Sequence, residues 1–337
     1  YNMADNVVAG QFIGDDALSA VSVSYPVTMI YMAVALGINI GCSVVISQLF
    51  GAKRMERMKT AVSPSLISTA ALALLLTVLG LIFCNPLLRL LNTPDNIMDP
   101  TSQYLRIYTC GLLFIFIYNT CTGIFTALGD TMTPLIFLVV SSLSNIGLDI
   151  VFVVSTDMGV AGLALATLIC QAIAAIVSFL VLLGRLKRIP SGKWEYFSRP
   201  LLQTISTLAI PGILQKSFVS VGNLLVQGLV NSYEATVPGI IGGFSSATKL
   251  IYLVVYVNSA MGSAVASFTA QNIGANKFDR LSRGLRSGIL ICLCVVVPAL
   301  IFFLGFPEAA MCIFVPAEST DIIPVSYTHL TLPTNSR

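Results

Sequence analysis

Residues 131–156 read TMTPLIFLVVSSLSNIGLDIVFVVST and contain one charged side chain, Asp149. The stretch is long enough to cross a bilayer as a helix, for which about 20 apolar residues suffice. A carboxylate inside such a helix costs several kcal/mol unless it faces a protein interior or a water-filled cavity. The stretch therefore predicts a membrane-spanning helix and marks Asp149 as a candidate functional group.

Asn145 lies one helical turn before Asp149 and therefore on the same face of the helix. An amide and a carboxylate that converge at membrane depth offer oxygen atoms suited to a small hard cation or to a proton. Two structural roles for Asp149 remain open: pairing with a buried base, or capping a neighbouring helix. Its own span contains no basic residue, so we interpret it as a functional residue.

The composition is that of an integral membrane protein, with 56% hydrophobic and 10% charged residues, whereas soluble domains carry about 25% charged residues. The apolar runs are unbroken and lack period-2 alternation, which indicates helices rather than a barrel. The net charge of +3 is too small to suggest nucleic acid. The eight cysteines are scattered along the sequence, and most lie inside apolar runs. We therefore expect them to pack against other apolar side chains and not to form disulfides or bind a metal.

We therefore predict an all-α membrane protein with about nine spans, the first of them partial. The predicted spans are residues 1–13, 17–48, 62–83, 104–127, 133–155, 160–184, 203–232, 236–269 and 287–306. At the start of the fifth span, Thr133 is a candidate helix cap and Pro134 fits the first turn.

Basic residues are concentrated in the loops that follow the even-numbered spans. These loops hold Lys53, Arg54, Arg57 and Lys59 against Glu56, then Arg185, Lys187, Arg188, Lys193 and Arg199 against Glu195, then Lys277, Arg280, Arg283 and Arg286 against Asp279. Loops on the opposite face are acidic or nearly neutral. The positive-inside rule predicts a multi-pass protein of the inner (plasma) membrane with a cytoplasmic N-terminus.

The second and eighth spans end in the same motif, Gln48-Leu-Phe-Gly-Ala52 and Gln271-Asn-Ile-Gly-Ala275, and a basic stretch follows each. The spans are six apart, so both copies cross in the same direction. This pattern predicts two parallel six-helix repeats, which give 12 helices when complete. We assign residues 1–189 to an N-terminal lobe, 190–200 to a cytoplasmic loop, and 201–324 to a partial C-terminal lobe.

Both ends of the sequence look non-native, and we expect the chain to be truncated at each of them. It opens inside an apolar span, and the repeat predicts three further spans after the ninth. Residues 325–337 follow no earlier pattern, and we interpret them as a non-native tail. That interpretation removes His329, the one histidine.

Other polar residues are candidates for the same region of the membrane. Asp5 lies about two helical turns before the Asp15-Asp16 loop, at a depth that agrees with that of Asp149. Thr167 of the sixth span would join them if that span packs beside the fifth, although membrane threonines more often bond their own backbone. Candidate cavity-lining residues are Tyr118, Asn119, Gln171, Gln215 and Lys216. No nucleotide-binding, nucleophile or zinc motif occurs, so we expect neither an enzyme nor a cofactor.

Several short motifs together resemble the bacterial multidrug and toxic compound extrusion (MATE) transporters. They are Asn2-Met-Ala-Asp5 with Gly14, Gly41 with Ser47-Gln48 and Gly51-Ala52, Ala127-Leu-Gly-Asp-Thr-Met-Thr-Pro134, Asn145-Ile-Gly-Leu-Asp149, Gly162-Leu-Ala-Leu-Ala-Thr167, Ile210-Pro-Gly-Ile-Leu-Gln215, Val230-Asn231 and Gln271-Asn-Ile-Gly-Ala275. Each motif is modest, but their order and spacing along residues 1–310 are specific.

The resemblance implies two six-helix lobes and the export of organic, often cationic, compounds in exchange for Na⁺ or H⁺. We also expect the protein to be a monomer. It also implies that Asp5, Asn145, Asp149 and Thr167 form a cation site in the first lobe. The sequence departs from the family branch that has an acid in the seventh span, where it reads Gln215-Lys216-Ser217. This departure favours the first-lobe site over a second one.

Two other functions remain open. A lipid-linked oligosaccharide flippase of the same superfamily would share the two-lobed helical plan and would line its cavity with many basic residues, of which Lys216 and Lys249 are the candidates. A receptor or scaffold without transport is a different class. The buried carboxylate and the six-helix duplication are both unexpected in such a protein.

Overall fold

The computed structural model describes residues 2–91, 93, 95–156, 158–192, 195–232 and 240–306, and all regular elements in these ranges are helices. The helices are α1 (Asn2–Val8), which continues as a π-helix (Ala9–Ile13), α2 (Asp15–Gly51), α3 (Met55–Leu90), α4 (Asp95–Cys110), α5 (Leu112–Ala127), α6 (Met132–Thr156), α7 (Gly159–Arg188), α8 (Arg199–Ser232), α9 (Ile240–Gly274) and α10 (Asp279–Gly305). The predicted all-α membrane fold is confirmed.

Among the described residues, six helices are long and apolar enough to cross a membrane, or seven if α4 and α5 form one span. Their lengths exceed the sequence estimates, as in α3, which begins seven residues before the predicted residue 62. In α3 the added first turns contain Glu56, Arg57 and Lys59, and a hydropathy reading stops at these charges while the helix continues.

The predicted fourth span, residues 104–127, is wrong as a single straight helix. It consists of α4 and α5, which meet at Gly111 with a bend of 47°. The first turns of α4 also lie outside the prediction, because they contain Asp95, Asn96 and Asp99 and are not apolar. Because of this bend, α4 and α5 run in different directions through the first unit. The direction of α4 is important for the candidate site described below.

The chain folds into two compact units. The first comprises the described residues of 2–220 with Ile273–Ala275, and the second comprises the described residues of 221–272 and 276–306. The division falls within α8 and not in the loop at residues 190–200, so the proposed lobe boundaries stay predictions. In the second unit, the Asn223 amide donates a hydrogen bond to the Tyr252 hydroxyl at 2.9 Å.

The first unit is built around α5, in which every residue is buried or half-buried. It packs against α2, α3 and α7. Between α3 and α5, the hydroxyls of Thr69 and Thr120 share a buried hydrogen bond of 3.1 Å. Hydrophobic burial does not drive helix association in lipid, so close van der Waals packing and such interhelical bonds hold the unit together, each bond contributing about 0.6 kcal/mol.

The start of α6 is capped by Asp130 rather than by Thr133, so the predicted cap is wrong. Asp130 Oδ1 accepts the Thr133 backbone N–H at 3.1 Å, and Oδ2 accepts the Thr133 hydroxyl at 2.7 Å. Asp130 also forms an ion pair with Arg185 at the end of α7. Burial by itself would raise the pKa of the Asp130 carboxyl, but the Thr133 bonds and the Arg185 charge lower the pKa below its usual value.

The chain ends that follow the second, fourth and sixth spans lie at one face of the first unit. Asp130, after α5, pairs with Arg185 of α7. Lys59, in the first turns of α3, donates to the Ile189 carbonyl oxygen after α7 at 2.8 Å. A shared face for these ends agrees with the predicted topology, and the assignment of that face to the cytoplasm stays a prediction.

Candidate functional site

One face of α6 is buried and the others are exposed. Its buried residues recur every four positions at Ser141, Asn145, Asp149 and Val153. Apolar side chains such as Leu143 cover the exposed faces, which suits a helix with lipid on one side. The single charged residue of the helix therefore points into the protein, and Asp149 is fully buried.

The face of α7 opposite Asp149 is built from small residues. Ala161, Gly162, Ala164 and Ala166 are all buried, and a Cβ on Gly162 would lie 3.0 Å from the Phe152 Cβ of α6. Small residues let two membrane helices approach closely. The approach brings Thr167, which is 2% exposed, to the level of Asn145.

The structure brings all four predicted cation-site residues together. The Asn145 amide donates to Asp149 Oδ1 at 3.3 Å and to the Thr167 hydroxyl oxygen at 3.1 Å. The Thr167 hydroxyl lies 3.2 Å and 3.3 Å from the two carboxylate oxygens of Asp5 and donates to that group. Thr167 therefore bonds neighbouring helices and links α1 to α6. Whether the cluster binds a cation stays a prediction.

Tyr104 of α4 is a member of this cluster that sequence reasoning missed. Its hydroxyl donates to Asp5 Oδ2 at 2.6 Å, and the side chain is fully buried. Tyr104 is the first residue of the predicted fourth span, which contains several other aromatic residues. No local sequence pattern distinguished it from aromatic residues that only pack in the core. The polar residues before Tyr104 were excluded from the predicted span because they are not apolar. Reading them as the first turns of a longer helix would have drawn attention to Tyr104.

Asp5 and Asp149 belong to one buried cluster, in which the Thr167 hydroxyl contacts Asp5 and the Asn145 amide contacts both Thr167 and Asp149. Neither carboxyl group has an ion pair with a Lys or Arg side chain of the described residues. Two carboxylates buried side by side repel each other, so they must share a proton or hold a cation between them. The first structural alternative for Asp149, a permanent basic partner, is therefore wrong within the described residues.

Two oxygen atoms of the cluster are buried without a hydrogen-bond partner, namely Asn145 Oδ1 and Asp149 Oδ2. Buried polar atoms are rarely left unsatisfied. Together with the Asp5 carboxylate and the Thr167 hydroxyl, they form an all-oxygen donor set, which is the type that hard cations prefer. The residues present therefore fit Na⁺ as well as a shared proton.

The predicted cavity-lining residues are dispersed. Tyr118 donates to the Pro134 carbonyl oxygen at 3.2 Å, and Asn119 donates to the Ile115 carbonyl oxygen of its own helix at 2.8 Å. Gln171, one turn after Thr167, has a buried and unpartnered Oε1. Gln215 is exposed and Lys216 half-buried on α8. Their contact with a substrate stays a prediction.

Several sequence predictions lie outside the described residues. They concern the side chains of Asp15, Asp16, Asn231 and Lys249, and the proposed tail at residues 325–337.

The fold is that of a multi-pass helical membrane protein. The family model MatE matches two stretches of the chain, residues 1–151 and 211–332, which agrees with an internal repeat. The chain belongs to this family of membrane transporters, whose members are not enzymes.

Relatives and solved structures agree with this assignment. The chain is 30% identical over 326 residues to the "Probable multidrug resistance protein YoeA" of Bacillus subtilis, and the match covers 93% of this chain and 69% of that protein. It is also 30% identical to the "Probable multidrug resistance protein YpnP" of the same organism, over 83% of this chain and 62% of the relative. The fold resembles that of a MOP superfamily transporter from Pyrococcus furiosus, with a TM-score of 0.88 and 24% identity over 98% of this chain and 73% of that one. The chain thus spans about two thirds of the length of the two Bacillus relatives.

Proposed function

We propose that the intact protein is an antiporter that exports small organic, cationic compounds in exchange for Na⁺ or H⁺ by alternating access. The observation that carries the proposal is the pair of buried carboxyl groups, Asp5 and Asp149, which lack a basic partner among the described residues and lie beside an unpartnered amide oxygen. Such a pair requires a positive charge from outside the protein. The names of the Bacillus relatives support multidrug export as the activity.

The cluster offers a physical route from cation binding to conformational change. It is assembled from α1, α4, α6 and α7, so a proton or Na⁺ taken up by the carboxyl groups changes the packing of four helices at once. The cation drives this change only if it binds one arrangement of the helices more tightly than the other. The substrate must prefer the opposite arrangement. Entry of the cation then lowers substrate affinity and promotes release.

For location, we propose a monomer in the plasma membrane with a cytoplasmic N-terminus. The basic loops after even-numbered spans support this orientation. The shared face of the chain ends after α5 and α7, described above, agrees with it.

Transport by the purified intact protein in lipid vesicles tests the proposed function. We expect ethidium movement that is driven by an imposed Na⁺ or proton gradient and stops when the gradient is collapsed with the matching ionophore. Ethidium movement without dependence on either gradient would contradict coupling. Translocation of lipid-linked oligosaccharide in place of ethidium would support the flippase alternative, and movement of neither would indicate a protein without transport.

Replacing Tyr104 with Phe is expected to change the cation dependence of transport without abolishing it. The substitution removes the hydroxyl that donates to Asp5 Oδ2 and keeps the ring. A hydrogen bond to a charged group is worth about 1.5–3 kcal/mol, and its loss frees a carboxylate oxygen for the coupling ion. We expect half-maximal ethidium export at a cation concentration about ten-fold lower, since about 1.4 kcal/mol corresponds to a factor of ten. Tyr108→Phe, one turn further along α4, is the control, and an equal shift in both variants would contradict a specific role for Tyr104.

A further inference from the structure

A groove of about 350 Å³ lies between α3 and α7 in the first unit, away from the buried carboxyl cluster. Apolar side chains form most of its length, with Val62, Leu66 and Ile67 on the α3 side and Phe179 and Leu183 on the α7 side. Both helices are apolar enough to span a membrane. The walls therefore suit a hydrocarbon chain that lies along the helices.

Two lysines and a tyrosine line one end of the groove. They are Lys59 from the first turns of α3, Lys187 from the last turn of α7, and Tyr196 from the loop that follows α7. Lys187 and Tyr196 are exposed. The end lies at the face where the basic loops are found, so the positive-inside rule assigns it to the cytoplasmic interface.

Lys59 is the unusual member of this group, because it is only 8% exposed. Its ammonium donates one hydrogen bond, to the Ile189 carbonyl oxygen at 2.8 Å. No carboxylate of the described residues lies within ion-pair distance of it. An ammonium has three donors, and a buried charge is costly unless it is paired. An anionic group bound at this end of the groove would therefore stabilise the buried Lys59 ammonium.

The neighbouring acids do not supply this partner. Glu56 and Glu195 are both exposed. Glu195 contacts α3 through its backbone N–H, which donates to the Thr60 hydroxyl at 3.2 Å. That hydroxyl in turn donates to the Glu56 carbonyl oxygen at 2.9 Å. These contacts hold the loop against α3, and Lys59 lines the groove without an ion pair to a carboxylate of the described residues.

We infer that the groove binds an anionic phospholipid of the inner leaflet, with the phosphate at Lys59 and Lys187 and an acyl chain against the apolar walls of α3 and α7. Basic pockets between membrane helices on the cytoplasmic side are suited to anionic head groups. The tyrosine ring of Tyr196 fits the head-group level, where aromatic residues are enriched. This site is separate from the proposed cation site and does not depend on the proposed transport activity.

Fluorescence quenching by brominated lipids tests the inference on the intact protein. Trp194 is the single tryptophan of this sequence and precedes Tyr196 by two positions, so it serves as the reporter once any tryptophan outside this sequence is replaced by Phe. The protein is placed in vesicles of phosphatidylcholine containing increasing fractions of brominated phosphatidylglycerol or brominated phosphatidylcholine. We expect half-maximal quenching at a clearly lower fraction of the anionic lipid.

Charge-removing variants identify the groove as the origin of the preference. Lys187→Gln and Lys59→Met are each expected to weaken the preference for phosphatidylglycerol about five-fold, as follows from about 1 kcal/mol per basic residue near the surface. Arg188→Gln is the matched control, because Arg188 is exposed, adjacent and outside the groove lining. Equal quenching by the two lipids, or an equal effect of Arg188→Gln, would overturn the proposal. Lys187→Gln keeps the test decisive if Lys59→Met disturbs folding through the lost Ile189 bond.

Discussion

Replacing Asp149 with Asn is expected to abolish cation-coupled export while leaving the intact protein inserted in the membrane. In the structure, the Asn145 amide donates a hydrogen bond to Asp149 Oδ1 at 3.3 Å. Asparagine at position 149 has nearly the same size and still offers an oxygen atom to this amide. It carries no charge and cannot exchange a proton or attract Na⁺. Cells that carry the variant should therefore be no more resistant to ethidium than cells without the transporter, and vesicles should lose gradient-driven transport.

A matched control separates the loss of the site from the loss of any acid. Asp99→Asn makes the same chemical change on α4 at an exposed position, and we expect it to retain resistance. Asp5→Asn should reproduce the Asp149→Asn phenotype, and the double variant should be no worse, because residues that share one ion are not additive. Full resistance in the Asp149→Asn strain at normal protein levels would refute the proposed cation site.

Replacing Gly123 with Leu is expected to destabilise the first unit by about 1–3 kcal/mol or more, the usual cost of overpacking. Gly123 is buried in the central helix α5. A Cβ at this position would overlap the Asn39 amide of α2, with Asn39 Cγ 2.8 Å away. Leucine adds three more carbon atoms where α5 is enclosed on all sides, so rotation of Asn39 alone cannot make room. The thermal unfolding of the detergent-solubilised protein, followed by size-exclusion chromatography, measures the effect.

Gly184→Leu is the control for this prediction. Gly184 lies on an exposed face of α7, and a Cβ there would meet no atom within 4 Å. Both variants replace glycine with leucine inside a helix and change intrinsic helix propensity alike, so a difference between them reports packing. A Gly123→Leu variant as stable as Gly184→Leu would show that α2 and α5 are not packed as described.

Much of the candidate site could be predicted from α6 alone. The spacing of Asn145 and Asp149 places them on one helix face, and the structure buries that face. Asp5 and Thr167 came from depth arguments and from the family resemblance, and the structure brings both to the same cluster. These predictions concern residues on one helix, or on two helices joined by a short turn. In both cases the sequence spacing largely determines which side chains lie close together.

Two of the failures have a common cause in contacts between residues far apart in the sequence. Tyr104 was missed because its partner Asp5 is 99 positions away. The bend at Gly111 was missed because the break leaves hydropathy unchanged. The ion pair of Asp130 with Arg185 was missed because the two residues are 55 positions apart.

The sequence by itself determined that this protein is helical, that it crosses the membrane repeatedly, and that it carries carboxyl groups at membrane depth. A helix in lipid satisfies its own backbone hydrogen bonds, so a local apolar run is enough to specify each span. Only the tertiary structure decided that the Asp5 and Asp149 carboxyl groups are buried in one cluster without an ion pair to a Lys or Arg of the described residues, and that Lys59 lies buried at the end of an apolar groove. These features depend on which helices pack together, and that choice follows from side-chain fit across the whole first unit.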